Sequence, residues 1–403
     1  MTASSGGSGE AMFDALLHAS HQCHPEDLPA LVALHAAPVG LFEPVIYLVD
    51  VQQDALVWFA PRGGSDPPPP RRLPIDSGVA GSAFTELDVR VEHTRDAERL
   101  WVTLLDGTER LGVLRLTVAD VDDLTVRRAR RLASLLALML VSKRAHSDAY
   151  HRTSRLREMS VSAEVQWSLL PPNTFSTEAI VVAGMLEPAY EVGGDLFDWA
   201  MDGSMLHTAI FDAVGHDVSS AVLSALTSGA YRNARRRGLD LPSTVVAIDE
   251  VLHAQFGSRR LTTGVLVRLD TRTGVLEWVL AGHPPPVLIR DHALYRLLEC
   301  RPTLPLGVGV ERQTTVGRVQ LEHGDRILLY TDGLTEARDE RGEFFGLERL
   351  VNFLVNQDKN GHTAPETLRR LVHALRAHHH DRLEDDAGLL LVEWRHDPRL
   401  SQP

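Results

Sequence analysis

Cysteine is nearly absent. Cys23 and Cys300 are the only two in 403 residues, which leaves no disulfide framework and suits a reducing compartment. Positive charge is in deficit: 41 Lys and Arg face 54 Asp and Glu, for a net charge of −13. That balance argues against nucleic acid as the main partner. Long apolar runs are missing too. The most apolar window, Leu132 to Val141, is too short to span a bilayer and follows a run of arginines. The Gly/Ser-rich start, Met1 to Glu10, has neither the basic nor the apolar segment of a signal peptide and reads as a disordered tail. A cytoplasmic protein without membrane or nucleic-acid partners is expected. What remains is ordinary for a soluble globular chain, 44% apolar and 24% charged, and long enough for two domains with a connecting helix.

From Met12 to about Val118 a helix-like start (Phe13, Leu16, Leu17) precedes short β-rich runs at 44–49, 55–59, 100–105 and 110–118. Between them, the polar, proline-rich stretch Gly63 to Pro70 cannot join a sheet interior. From Asp122 to about Leu170 the period turns helical. Val126, Leu132, Leu135, Leu136 and Met139 sit at helix spacings, and Leu156, Met159, Ala163, Gln166 and Leu170 step by three and four. Two readings fit this pattern: an amphipathic helix packed on its own domain, or a coiled-coil seam that makes a homodimer, with Gln166 fixing its register. Pro171-Pro172 ends the helix. Beyond it, strands are expected at 180–186, 205–211, 263–269, 275–281, 286–290, 314–321, 326–331 and 388–395, with helices at 218–237, 241–256 and 365–379. Blocks of strands with a few helices indicate an α+β fold, helices covering two packed sheets.

The chemistry gathers at four aspartates in four separate segments: Asp195, Asp212, Asp332 and Asp385. Each stands at the edge of an apolar strand-like run close to glycine, where backbone turns sharply and a small ion has access. Brought together, four such acids repel unless a multivalent cation neutralises them. With no cysteine and no histidine triad among the donors, oxygen ligands select a hard ion such as Mg²⁺ or Mn²⁺ over Zn²⁺. No Ser/His/Asp or cysteine-based nucleophile presents itself.

Six strings occur in a fixed order: Glu191-Val192-Gly193-Gly194-Asp195-Leu196-Phe197-Asp198, Asp212-Ala213-Val214-Gly215-His216-Asp217, Ala281-Gly282-His283-Pro284-Pro285-Pro286, Pro305-Leu306-Gly307, Gly324 through Ala337, and Asp385-Asp386-Ala387-Gly388-Leu389-Leu390. In this order they resemble the SpoIIE/RsbU-type branch of the PPM metal-dependent serine/threonine phosphatases. The resemblance implies a PPM-type β-sandwich flanked by helices and two Mn²⁺ or Mg²⁺ ions. Asp212 would bridge them, the Ala213 carbonyl would be a neighbouring ligand, and Asp195, Asp332 and Asp385 would complete the carboxylates. It implies hydrolysis of phosphoserine or phosphothreonine by a metal-activated water, on a phosphorylated anti-sigma-factor antagonist. The first 120 residues, with Ile75 to Phe84 and a closing strand through Gly112-Val113-Leu114, resemble a GAF-type α/β sensor domain. The expected organisation is a tail at 1–10, a GAF-like sensor at 11–120, a long helical linker at 121–172 and the phosphatase domain at 173–397.

Plainer roles stand beside these. Asp332 before Gly333 could be a turn residue, and Asp198 a turn residue or a support for the site. His216 could relay a proton or stack beneath a loop; His283 is expected to brace a rigid loop. The tract His378-His379-His380 reads as solvent-exposed, and Arg235-Arg236-Arg237 as a solvated helix face, or alternatively a contact for an acidic partner. Two residues depart from the family pattern. Asp217 stands where glycine is usual, and Gly388 stands where threonine is usual, removing a hydroxyl that could orient Asp385 or Asp386. These departures are the only support for a second function, a catalytically silent signalling scaffold. A two-metal nuclease does not suit so acidic a chain.

Overall fold

The computed structural model describes residues 5–64, 68–191, 193–215, 218–310, 313–379, 383 and 385–396. The chain divides into two units, Met1–Glu158 and Met159–Pro403.

In the first unit, helices α1 (Ser5–Ser20) and α2 (Leu28–Ala36) lead into strands β1 (Leu41–Val49), β2 (Ala55–Trp58) and β3 (Arg72–Pro74). Then follow α3 (Gly78–Glu86), β4 (Arg90–His93), β5 (Glu98–Asp106), β6 (Glu109–Val118), α4 (Asp123–Arg144) and α5 (Asp148–Ser154). The strands form one antiparallel sheet in the order β3-β2-β1-β6-β5-β4. Alternation along β6 divides its faces: Leu114 and Leu116 join Leu132, Leu136 and Leu140 of α4 in one buried cluster, and Val113 joins Phe84 of α3 in another.

The second unit opens with α6 (Val161–Leu169), β7 (Thr174–Ser176), β8 (Ile180–Glu187), β9 (Leu196–Asp202), β10 (Met205–Ala213), α7 (Val218–Arg236) and α8 (Leu241–Phe256). It continues through β11 (Thr262–Asp270), β12 (Val275–Ala281), β13 (Val287–Arg290), β14 (Ala293–Leu297), β15 (Gly317–Gln320) and β16 (Arg326–Tyr330). Helices α9 (Asp332–Glu336), α10 (Gly346–Lys359) and α11 (Ala364–His379) precede the last strand, β17 (Ala387–Trp394). A five-stranded sheet, β15-β12-β11-β10-β9, faces a six-stranded one, β14-β13-β16-β17-β8-β7. Ile210, Val265 and Trp278 of the first meet Val182, Leu329 and Trp394 of the second in the core between them. Each fully buried aliphatic side chain there contributes about 1.5–3 kcal/mol. Outside, α7 and α8 pack on the five-stranded sheet through Leu223, Val245 and Leu252, and α10 and α11 on the six-stranded sheet through Leu350, Leu371 and Leu375. The result is a helix–sheet–sheet–helix sandwich, the α+β architecture expected.

Several boundaries move. The tail expected through Glu10 is shorter, because α1 runs back to Ser5 from the buried anchors Met12 and Leu16. The long linker helix expected at 121–172 is three helices. Residues 145–147 and 155–160 break it, with Ser147 and Ser160 capping the next helix in each case. The five-position seam therefore dissolves: Leu156 and Met159 lie outside helices, while Ala163 and Gln166 are buried within the second unit. Along α4 the apolar stripe packs on its own sheet. Ala163 and Gln166 are thus spent inside the chain, and no continuous helical seam runs through the five positions. The second unit accordingly begins at Met159 and not at 173.

Asp198 is neither a turn residue nor exposed. It lies in β9, 1% accessible, and pairs with Arg232 and, at 2.8 Å, with Arg235 of α7. Of the arginine run, Arg235 is thus a buried partner, and only Arg236 and Arg237 form an exposed face. His378 is half-buried against Phe345 and Arg349, and His379 is buried, so the histidine tract is not a solvated end; His380 lies outside the described residues. Substituting Asp198→Ala strips both guanidinium groups of a buried partner and should cost about 3–5 kcal/mol. Chemical denaturation of the second unit measures this, with Asp198→Asn expected to lose less.

Candidate metal centre

The Gly193–Asp195 segment enters β9 beneath a net of hydrogen bonds from four other elements. Gly193 and Gly194 donate their backbone N–H groups to one carboxylate oxygen of Asp386, at 2.5 and 2.7 Å. From α7, Ser220 and Ser224 donate to the carbonyls of Gly193 and Gly194, at 3.0 and 2.6 Å. From α6, the fully buried Gln166 donates to the Asp195 carbonyl at 2.6 Å. At the end of β16, Thr331 donates its hydroxyl to Asp195 Oδ2 at 2.5 Å and accepts the Gly388 N–H at 2.8 Å. Gln166 is thus a brace for this loop and not a coiled-coil register residue.

Glycine is required where these segments touch. A β-carbon on Gly194 would stand 2.2 Å from the Ala213 carbonyl oxygen, and one on Gly333 would stand 1.9 Å from the Asp386 carbonyl oxygen. No side chain fits at either distance.

The net brings the acids together. Asp212 ends β10, opposite Thr263 of β11. Asp332 opens α9, and Asp385 is exposed beside the buried Asp386. Burial, then the charges of Asp212 and Asp386, hold the Asp195 carboxyl well above its ordinary range. Burial followed by Asp332, Asp385 and Asp386 pushes Asp212 to about 7. Asp332 is raised by burial, then by Glu336 and Asp385. Asp386 is raised by burial although the Gly194 and Gly193 amides pull against it. Asp212 is the hub, feeling or felt by every other acid of the group. Mutual destabilisation of this kind is what a multivalent cation relieves.

The donor set fits hard ions shared by few carboxylates each. Among the described residues, no three Asp, Glu, His or Cys side chains gather closely enough to hold an ion by themselves. Carbonyl oxygens such as that of Ala213, together with water, would have to complete the shell, as hard ions permit. Histidine does not enter. His283 is buried, its Nε2 donating to the Tyr330 carbonyl at 3.0 Å and its Nδ1 accepting from Thr263 at 2.8 Å. Burial lowers it to about 4, so it stays neutral and braces β11 against β16. His216 and Asp217 lie outside the described residues.

At Gly388 the backbone N–H meets the hydroxyl of Thr331, which holds Asp195. A β-carbon at 388 would meet Asp195 Oδ2 at 3.1 Å, and the Thr331 hydroxyl already bonds that oxygen. Sequence reasoning passed over Thr331, Ser220, Ser224 and the loop-holding part of Asp386. A signal existed for the serines: Ser220, Ser224, Thr227 and Ser228 line the buried side of α7, an unusual stripe of hydroxyls on a core-facing helix.

Two facing sheets with helices outside carry a group of carboxylates fed from several strand ends. Residues 202–395, just under half of the chain, match the family model described as "Stage II sporulation protein E (SpoIIE)". It is 23% identical to the phosphoserine phosphatase RsbU of Bacillus subtilis over 239 residues, 58% of this chain and 69% of that protein. With the phosphoserine phosphatase RsbP of the same organism it shares 23% over 185 residues, 45% of each chain. The chain thus spans less than half of RsbP. Among solved structures, the SiaA-PP2C domain of Pseudomonas aeruginosa aligns over 59% of this chain and 94% of its own, with 21% identity and a TM-score of 0.48.

Thr331→Val would leave the Gly388 N–H and Asp195 Oδ2 without their shared partner. A loss of about 1–3 kcal/mol in the unfolding of the second unit is expected, with Thr331→Ser close to wild type.

Proposed function

We propose that the protein is a metal-dependent protein serine/threonine phosphatase. In this reading Asp212, Asp195, Asp332 and Asp385 with the Ala213 carbonyl would hold two Mn²⁺ or Mg²⁺ ions. The observation that carries it is the electrostatic convergence of these acids, drawn from four separate segments onto Asp212. Two ions held there would polarise a phosphate ester and acidify the attacking water. The chain's own part is to hold the acids against their repulsion, through Thr331 on Asp195 and through the Gly193 and Gly194 amides on Asp386. Both amides bond one oxygen of Asp386, which favours Asp385 as the ligand of the pair. The names of RsbU and RsbP as phosphoserine phosphatases support the reaction.

The substrate in this reading is a phosphorylated anti-sigma-factor antagonist, and the first unit is a GAF-like sensor that governs the second. A cytoplasmic location belongs to the same reading; among the described residues no helix is long and apolar enough to cross a membrane. The silent-scaffold alternative keeps its two supports, Asp217 and Gly388, against four candidate carboxylate ligands that are all present.

Hydrolysis of a phosphoserine peptide with Mn²⁺ tests the proposal. Asp212→Asn and Asp332→Asn should each lower the rate by more than roughly 100-fold, because loss even of outer-shell partners costs 10–100-fold. Chelator should abolish activity; a rate indifferent to both variants and to chelator refutes the mechanism. Metal binding should also depend on pH. With the Asp212 carboxyl at about 7 in the metal-free protein, an ion must displace its proton below that pH. Mn²⁺ affinity, measured by calorimetry, should therefore fall by at least about tenfold per pH unit below 7, any proton held by Asp195 adding to the slope.

A further inference from the structure

The first unit contains a concavity of about 700 Å³ enclosed by the end of β2, the 68–72 segment leading into β3, and α5 with the residues after it. Its walls are unusual for so acidic a chain. Arg71 and Arg72 line it from the sheet edge, and Arg152 and Arg155 line it from α5 and the residue after its end. One carboxylate stands in the described wall, that of Glu26, which pairs with Arg152 at 3.3 Å. Guanidinium groups on opposite walls repel across a cavity and pre-form a site for an anion, which they grip through forked, charge-assisted hydrogen bonds. The remaining lining is flat and apolar: the half-buried Trp58 ring and the rings of Pro68 and Pro69. A bare inorganic ion would leave those surfaces uncovered.

We propose that this concavity binds a small organic anion. A phosphate or carboxylate head would sit at the arginines, and a flat apolar body would lie against Trp58 and the prolines. Trp58 is anchored from behind, since its backbone N–H donates to the Arg71 carbonyl at 2.9 Å and so ties the aromatic wall to the basic one. Arg155 and Leu156, which line the same space, lie directly before the point where the chain passes into the second unit at Met159. A ligand here would fix the segment that leads out of the first unit. The proposal stands apart from the phosphatase reading and is tested without turnover.

Calorimetry on the full chain would use phenylphosphonate, benzoate and inorganic phosphate, with chelator present so that no metal at the other site retains an anion. Phenylphosphonate or benzoate should bind saturably with one-to-one stoichiometry, and whichever binds more tightly identifies the head group. Inorganic phosphate should bind at least about tenfold more weakly, since it buries no ring. The double variant Arg72→Ala/Arg152→Ala should weaken binding by about tenfold or more, for loss of charge-assisted bonds. Arg71→Glu, on an exposed position, provides a second variant should the first unfold. Three results overturn the proposal: no saturable binding of any probe at millimolar concentration, equal binding of phosphate and the aromatic probes, or unchanged affinity in a folded variant.

Discussion

Everything in the second unit depends on keeping like charges together. Asp195, Asp212, Asp332, Asp385 and Asp386 each raise the energy of another, so the fold must hold them by forces that do not involve them as partners of one another. It uses backbone. The Gly193 and Gly194 amides take Asp386, the Thr331 hydroxyl takes Asp195, and the Gln166, Ser220 and Ser224 side chains fix the carbonyls of the same loop. Amides and hydroxyls satisfy the carboxylates without neutralising them. Charge is preserved for an ion to meet, whereas an arginine in any of these places would have quenched it. The glycines follow from the same demand. Segments that must approach within backbone distance leave no room for a β-carbon at 194 or 333.

Where charge need not be preserved, the chain does use arginine. Asp198 of β9 is only three residues from Asp195, which directly precedes that strand, yet it is closed off by Arg232 and Arg235 of α7. That pair lashes α7 to β9, and α7 carries the two serines that hold the glycine carbonyls. The division is sharp. Within four residues, the acid paired with guanidinium groups secures the scaffold, and the acid paired with a hydroxyl remains available.

The sandwich was largely legible because its strands and helices obey simple periods. The pattern at 275–281 and the helix at 241–256 coincide with β12 and α8, and the glycine-flanked aspartates marked the cluster. The short edge strands β7 and β14 and the helix α10 were not seen. Three to five residues carry too little pattern, and α10 is apolar on a narrow face only. The linker misled for a different reason. Leu156, Met159, Ala163 and Gln166 keep helical spacing across residues 155–160, which are not helical; spacing records which residues are apolar and cannot say whether one helix or two bury them. Gln166 shows the same blindness at the level of one side chain. Its buried amide answers a carbonyl 29 positions away, a relation that no local window contains.

The threonine missing at 388 shows how a departure from a family pattern ought to be weighed. Judged by position, Gly388 removes a hydroxyl next to the acidic pair. Judged by atoms, the Asp195 carboxylate has its own donor, since Thr331 bonds it from the neighbouring strand while taking the Gly388 N–H in return. The two positions are coupled by space as well. A β-carbon at 388 would press on Asp195 Oδ2 at 3.1 Å, on Ile210 at 3.2 Å and on the Thr331 methyl at 3.4 Å, each tight enough that the neighbour would have to give. Threonine at 388 and threonine at 331 would thus compete for one carboxylate and one small volume. With Thr331 in place, glycine at 388 is the residue that leaves Asp195 Oδ2, Ile210 and the Thr331 methyl uncrowded, so that Asp195 can stay where the other acids need it.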